Sequence, residues 1–234
     1  MNENIGAFRG TTLIHTEGQL GGARSVFVKL KGIKNELVYP TFGGAIKNPP
    51  KGDGFKFYAG DLFEYRTNSN GVLPEVFLLK TFLVESVSGT TVNIVRDGYK
   101  HKPFVGDVIG VAPNTIGGAM TAVTVTAVSE TKVGNVNVWA LTVSEAIEAA
   151  KGAVLVEADS DDKMLVKSIN AVADSDGDLL YAGTTSDEEF DKARYHYVPA
   201  LGGIMYINRM SPMPACVLAL NQSKINGWFQ IQSV

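Results

Sequence analysis

Thr121-Ala122-Val123-Thr124-Val125-Thr126-Ala127-Val128, followed after Gly134-Asn135 by Val136-Asn137-Val138-Trp139-Ala140-Leu141-Thr142-Val143, decides the fold class. Each stretch alternates with period two, so one face of each is apolar and the other polar. That pattern specifies half-buried strands, and the intervening Gly-Asn specifies a tight hairpin. Stiff β-branched Val, Ile and Thr dominate both stretches and suit a pleated surface.

Working outward, the same texture recurs. On the N-terminal side, Phe104-Val105-Gly106-Asp107-Val108-Ile109-Gly110-Val111 reads as a strand carrying a Val-Gly-Asp bend. The apolar-rich run 76–87 is joined through Ser88-Gly89-Thr90 to Thr91-Val92-Asn93-Ile94-Val95, a second hairpin signal. Phe55-Lys56-Phe57-Tyr58 and Asp61-Leu62-Phe63-Glu64-Tyr65-Arg66 read as shorter strands. On the C-terminal side, Thr142-Val143-Ser144-Glu145 has capping-box spacing and predicts a short helix over 146–151, with Gly152 at its left-handed C-terminal position. Ala153-Val154-Leu155-Val156 follows as a buried strand. Ser186-Asp187-Glu188-Glu189 predicts a second short helix, to about Tyr195. The apolar run 215–220 is expected to form a terminal hairpin with Trp228-Phe229-Gln230-Ile231 across Asn226-Gly227.

Residues 1–54 differ. Glycine is dense there, and isolated apolar residues stand between the glycines, so the segment buries little within itself. It reads as an extended arm whose anchors, Phe8, Ile14, Val26, Phe27 and Tyr39, would order on another protein's surface. Asn48-Pro49-Pro50-Lys51-Gly52 is a breaker and a hinge. The expected organisation is an arm over 1–54, a β-rich body over 55–160 and a C-terminal β module with a short helix over 161–234. The fold class is mainly β: small barrel or sandwich modules with hairpins and one or two short helices.

Composition narrows the function. The chain has 234 residues, is 45% hydrophobic and 19% charged, and can therefore build a core. A net charge of −3 argues against nucleic acid as a partner, because phosphate neutralisation needs a surplus of Lys and Arg. No secretory leader precedes residue 20, and no apolar run approaches the ~20 residues that a spanning helix needs, so neither export nor a membrane is expected. A single cysteine, Cys216, excludes an internal disulfide framework; its apolar setting predicts core packing.

Reactive groups are sparse. The three histidines, His15, His101 and His196, lie in no nucleophile context, and His101, among Lys100 and Lys102, is expected to be neutral and exposed. Glu64, Glu75, Glu85 and Glu157 are the carboxylates from which a glycosidase pair would have to be drawn. Trp139, Trp228, Phe57, Tyr58 and Tyr65 could build a glycan platform, with core or interface packing the main expectation. Asp174, Asp176 and Asp178 form an acidic turn that fails the EF-hand pattern at Leu179 and Thr185, and Asp159-Ser160-Asp161-Asp162 is a weaker version. No phosphate-binding loop occurs. The expectation is no catalytic residue, no metal and no cofactor.

The bend Gly106-Asp107-Val108-Ile109, the Val-Thr-Val hairpin and the strand Lys151-Gly152-Ala153-Val154-Leu155-Val156-Glu157-Ala158 resemble head fiber and capsid decoration proteins of tailed bacteriophages, especially the crAss-like and Bacteroides-infecting group. Residues 104–158 carry the resemblance, 76–112 carry it loosely, and 1–60 and 161–234 do not. It implies a non-enzymatic virion protein on the outer capsid surface, made in the host cytoplasm, bound to the major capsid protein and oligomeric. A homotrimer is the first expectation and a homodimer the second; host-surface glycans would be a further partner. The alternatives are a tail or baseplate receptor-binding module and a glycan-degrading enzyme on a β scaffold.

Overall fold

A computed structural model of the chain describes residues 13–14, 24–25, 44–48, 56–58, 60–66, 75–96, 101–173, 177–178, 196–197, 203–206, 211–222 and 229–232. In chain order the strands are β1 (Leu13–Ile14), β2 (Arg24–Ser25), β3 (Gly44–Ile46), β4 (Lys56–Phe57), β5 (Leu62–Arg66) and β6 (Glu75–Leu78). They continue with β7 (Thr81–Ser88), β8 (Thr91–Val95), β9 (Val108–Val111), β10 (Ala122–Val133), β11 (Val136–Val143) and β12 (Val154–Glu157). Then come β13 (Ala171–Val172), β14 (Gly177–Asp178), β15 (His196–Tyr197), β16 (Gly203–Tyr206), helix α1 (Ala215–Gln222) and β17 (Phe229–Gln232).

The protein is mainly β. Six strands close into a barrel in the order β10-β11-β8-β7-β12-β9, with every neighbour antiparallel. Both predicted hairpins form. Val133 faces Val136 and Ser88 faces Thr91, so each turn has two central residues, with Gly134 and Gly89 both at φ 58. A glycine in the left-handed region at the first central position lets the turn follow the strand twist. Bulges between Val125 and Ala127, and between Val84 and Ser86, bend the longest strands so that the sheet can close.

Alternation decides what lies inside. Phe82, Val84, Val92, Ile94, Ile109, Val123, Val125, Trp139, Leu141, Val143 and Leu155 fill the barrel, and Ile147 plugs it from the connection after β11. Next to Leu155, Val156 points the other way. It joins Leu62, Phe77, Leu79, Met164, Val166, Ile169, Val172, Cys216 and Val217 in a second core outside the barrel wall. That core is shared with a five-stranded sheet, ordered β13-β5-β6-β3-β15. The opposite face of the sheet carries Ile46, Phe63, Val76, Leu78, Ala171 and Ala173.

Four local expectations are corrected. The apolar run 76–87 is two strands in two sheets, parted at Leu79 and Lys80, because the chain leaves the sheet there and enters the barrel. The strand expected from Phe104 begins at Val108, because 104–107 is a turn with Gly106 at φ 88 and the Asp107 carboxylate accepting the Phe104 N–H at 2.8 Å. The helix over 146–151 does not form. Thr142 and Val143 stay in β11, the Ser144 N–H donates to the Thr124 carbonyl, and the Ser144 Oγ accepts the Thr124 N–H at 3.1 Å rather than capping. Ile147 is drawn into the barrel instead, and Gly152 is left-handed as expected, at φ 84. Finally, 215–222 is a helix and β17 pairs in parallel with β16, so there is no terminal hairpin. The Pro214 carbonyl accepts the Val217 and Leu218 N–H groups and starts the helix. In sequence α1 lies between β16 and β17, and a parallel pair needs a connection longer than a hairpin turn. The predicted helix over 186–195 lies outside the described residues.

Among the described residues no helix is long and apolar enough to cross a membrane.

Candidate functional site

The most chemically loaded place is the seam between barrel and sheet, where three polar side chains far apart in sequence meet in the interior. Asp61 follows Gly60, which turns at φ 86 to start β5. His101 precedes the β9 turn, and Ser211 lies just before α1. All three are buried, His101 with only 1% of its surface exposed. Its expected exposure is therefore wrong: the buried Asp61 carboxylate and the Thr81 N–H receive the ring.

The geometry fixes who donates. The Thr81 N–H donates to His101 Nδ1 at 3.0 Å, so that nitrogen carries no proton. His101 Nε2 then donates to Asp61 Oδ2 at 2.9 Å. The Ser211 hydroxyl donates to Asp61 Oδ1, and the Tyr58 N–H donates to Oδ2 at 2.7 Å. Serine, aspartate and histidine are all present, but the aspartate sits in the middle. A nucleophilic triad needs the imidazole against the hydroxyl, and here both imidazole nitrogens are engaged elsewhere. What the arrangement does is tie β5, the start of β7, the 101–107 turn and the entry to α1 to one carboxylate.

A second buried network lies beside it. Lys80, 3% exposed, donates to Glu157 Oε1 at 3.1 Å. Asn48 Nδ2 donates to Glu157 Oε2 at 2.7 Å and to the Leu78 carbonyl at 2.8 Å, while the Leu78 N–H donates to Asn48 Oδ1 at 2.8 Å. Asn48 thus acts as a one-residue strand beside β6 and fixes the chain at the end of the proposed arm.

The other candidate carboxylates are each matched to a cation. Glu64 is held by Arg66, at 2.7 Å from Nε and 2.9 Å from Nη2, and also accepts the Lys167 N–H at 2.7 Å. Arg66 lies 3.9 Å over the Phe77 ring centre. Glu75 pairs with Lys47 at 3.2 Å, and Glu85 with Lys151. Glu64 and Glu75 share one face of the β5–β6 pair, with Arg66 beside both.

Asp159 is likewise a loop organiser. Its Oδ1 accepts the Asp161 N–H at 2.9 Å and the Lys163 N–H at 3.0 Å, and Oδ2 lies 3.5 Å from the Lys167 ammonium. Burial works against its charged form, but those N–H groups and Lys167 outweigh it and hold the carboxyl below its usual range. A depressed folded value means stability that is fully present above the ordinary carboxylate pKa and lost as pH falls through the folded one. Asp159→Ala is therefore expected to cost about 1 kcal/mol at neutral pH, with the gap from wild type closing below about pH 4. Urea midpoints measured from pH 7 down to pH 3 check this; a gap that widens toward acid would contradict it.

Of the proposed anchors, Phe8, Val26, Phe27 and Tyr39 lie outside the described residues; Ile14 lies in β1, paired with Arg24. Asp174 and Asp176 also lie outside them, and Asp178 is in β14 opposite Lys56. Among the described residues no three His, Cys, Asp or Glu side chains converge to hold a metal. Trp139 is in the barrel core, and Tyr58 and Tyr65 pack against the two outer cores; Trp228 and the Phe57 side chain are not among those described. Cys216 is buried as expected, and burial pushes its thiol up. Sequence reasoning missed Asp61, Ser211 and Asn48. Only the Gly60-Asp61 turn gave any signal, since their partners lie as far as 150 residues away.

No family model, curated protein or solved structure matches the chain.

Proposed function

We propose that the chain is a virion structural protein, a head fiber or capsid decoration subunit that binds the major capsid protein and works by binding alone. One observation carries this. The residues that resemble such proteins, 104–158, are not scattered over the structure: they form the turn 104–107 and the four consecutive wall strands β12-β9-β10-β11. A shared surface arc is what a common docking or display role requires. The commitment of the buried Asp, His and Glu side chains to structural partners supports the same reading.

In this view the arm supplies the grip. Burying its apolar anchors gains ~25 cal/mol per Å², offset by the entropy lost in ordering the chain, so affinity depends on many repeated contacts. Mixed with capsids of its own phage, the full chain is expected to co-sediment with the heads, and gold-labelled chain to decorate the head surface. Deletion of residues 1–40 should leave the body folded, because the described core begins at Ile46, and should abolish decoration. Full-strength decoration by the truncated chain removes the arm from the mechanism. Label confined to the tail favours the receptor-binding alternative.

A further inference from the structure

The barrel closes unevenly. β10 is the longest strand, with twelve residues, yet β9 covers its outer edge only from Ala122 to Thr124. Backbone bonds with Gly106 and Asp107 extend that cover to Val125. Beyond the bulge, from Ala127 to Val133, β10 pairs with β11 on one side, and no strand among the described residues pairs with the other. Ala127, Ser129, Glu130, Thr131 and Lys132 are exposed. This edge carries no proline and no further register shift, two of the devices that blunt a free strand, and its only charges are Glu130 and Lys132.

We propose that this edge pairs with the same edge of a second copy of the chain, as a two-fold antiparallel junction centred on Thr131. The inference stands apart from the virion reading, since it concerns self-association only. Charge selects both the occupant and the register. A two-fold axis normal to the sheet must match side chains that face the same way, so it passes through a residue. Centred on Glu130 or on Lys132, it sets like charges directly opposite each other, which is unfavourable. Centred on Ser129, it leaves both charges opposite uncharged residues, Val128 and Thr126. Centred on Thr131, it sets Glu130 against Lys132 of the second copy, and by symmetry does so twice. Glu130 keeps its 2.8 Å contact with Arg96, because its carboxylate has a second oxygen to offer. The junction joins two barrels edge to edge, and this favours a dimer over a trimer.

The test uses the full chain in size-exclusion chromatography with light scattering, over a range of concentrations. Wild type should pass from monomer to dimer. Lys132→Glu should raise the dissociation constant about tenfold or more, and combining it with Glu130→Lys should restore pairing. Independently, Thr131→Cys places two thiols across the axis with Cα atoms ~4.5–5.5 Å apart, within disulfide reach. Mild oxidation should link it covalently. Ser129→Cys places its two copies ~14 Å apart and should not link. Cys216 is buried and supplies no competing thiol. Three results each overturn the proposal: a wild type that stays monomeric, an oligomer indifferent to Lys132→Glu, or a Thr131→Cys chain that does not cross-link.

Discussion

Asp61→Ala is expected to lower the unfolding free energy by about 3 kcal/mol or more, because it takes one shared acceptor away from three donors. The carboxylate accepts from three donors, the Ser211 hydroxyl, His101 Nε2 and the Tyr58 N–H. Two of them, His101 and Ser211, are buried and cannot turn to water without opening the seam. Each stranded donor costs ~1–3 kcal/mol. The backbone bonds of Asp61, to Tyr58 and Ala173, survive the substitution, so the loss reports on the side chain. Ser211→Ala removes one donor together with its demand and should cost only ~1 kcal/mol. Guanidinium unfolding followed by tryptophan fluorescence measures both. Equal midpoints for wild type and Asp61→Ala would show that the seam does not depend on this carboxylate.

Gly110→Ala should cost ~3 kcal/mol or more, and for a different reason. Gly110 lies in the middle of the closed wall, paired with Ala122 on β10 and Val156 on β12. Its φ is not in the left-handed region; the constraint is space. A Cβ there would sit 2.3 Å from the Thr121 carbonyl oxygen and 2.6 Å from Met120 Cε. The methionine end can swing away. The carbonyl cannot, because the Ala122 pairing holds the next residue in register. The barrel must open at the β9–β10 contact, which spans only three residue pairs. Gly134→Ala is the control, because there a Cβ meets nothing within 4 Å and only the φ of 58 resists. That penalty is ~1–2 kcal/mol. Thermal melts should therefore rank Gly110→Ala below Gly134→Ala; the reverse order would show that strand closeness at Gly110 is not limiting.

The strands were legible wherever one face is buried and the other wet. In β10, β11 and the β7–β8 hairpin, alternation and a Gly-first turn are local properties that the sequence states directly. The helix after Thr142 shows the limit of such reasoning. The capping-box spacing is real, but Thr142 and Val143 already have ladder partners, and Ile147 gains more inside the barrel than on an isolated helical turn. The apolar run 215–220 erred in the opposite direction. Strand and buried helix look alike over so short a run, and only the cores on either side decide between them.

Sequence alone determined the mainly β class, the two tight turns, the positions that alternate, and the burial of Cys216, because each depends on neighbours within a few residues. Tertiary structure decided that Leu155 fills a barrel while Val156 packs against a sheet, that His101 and Ser211 both lie buried against Asp61, and that half of β10 has no outer partner among the described residues. Those outcomes depend on which strands meet when the chain closes on itself. Closure is set by the summed packing of residues as far apart as Thr81 and Val156, and no local window of sequence contains it.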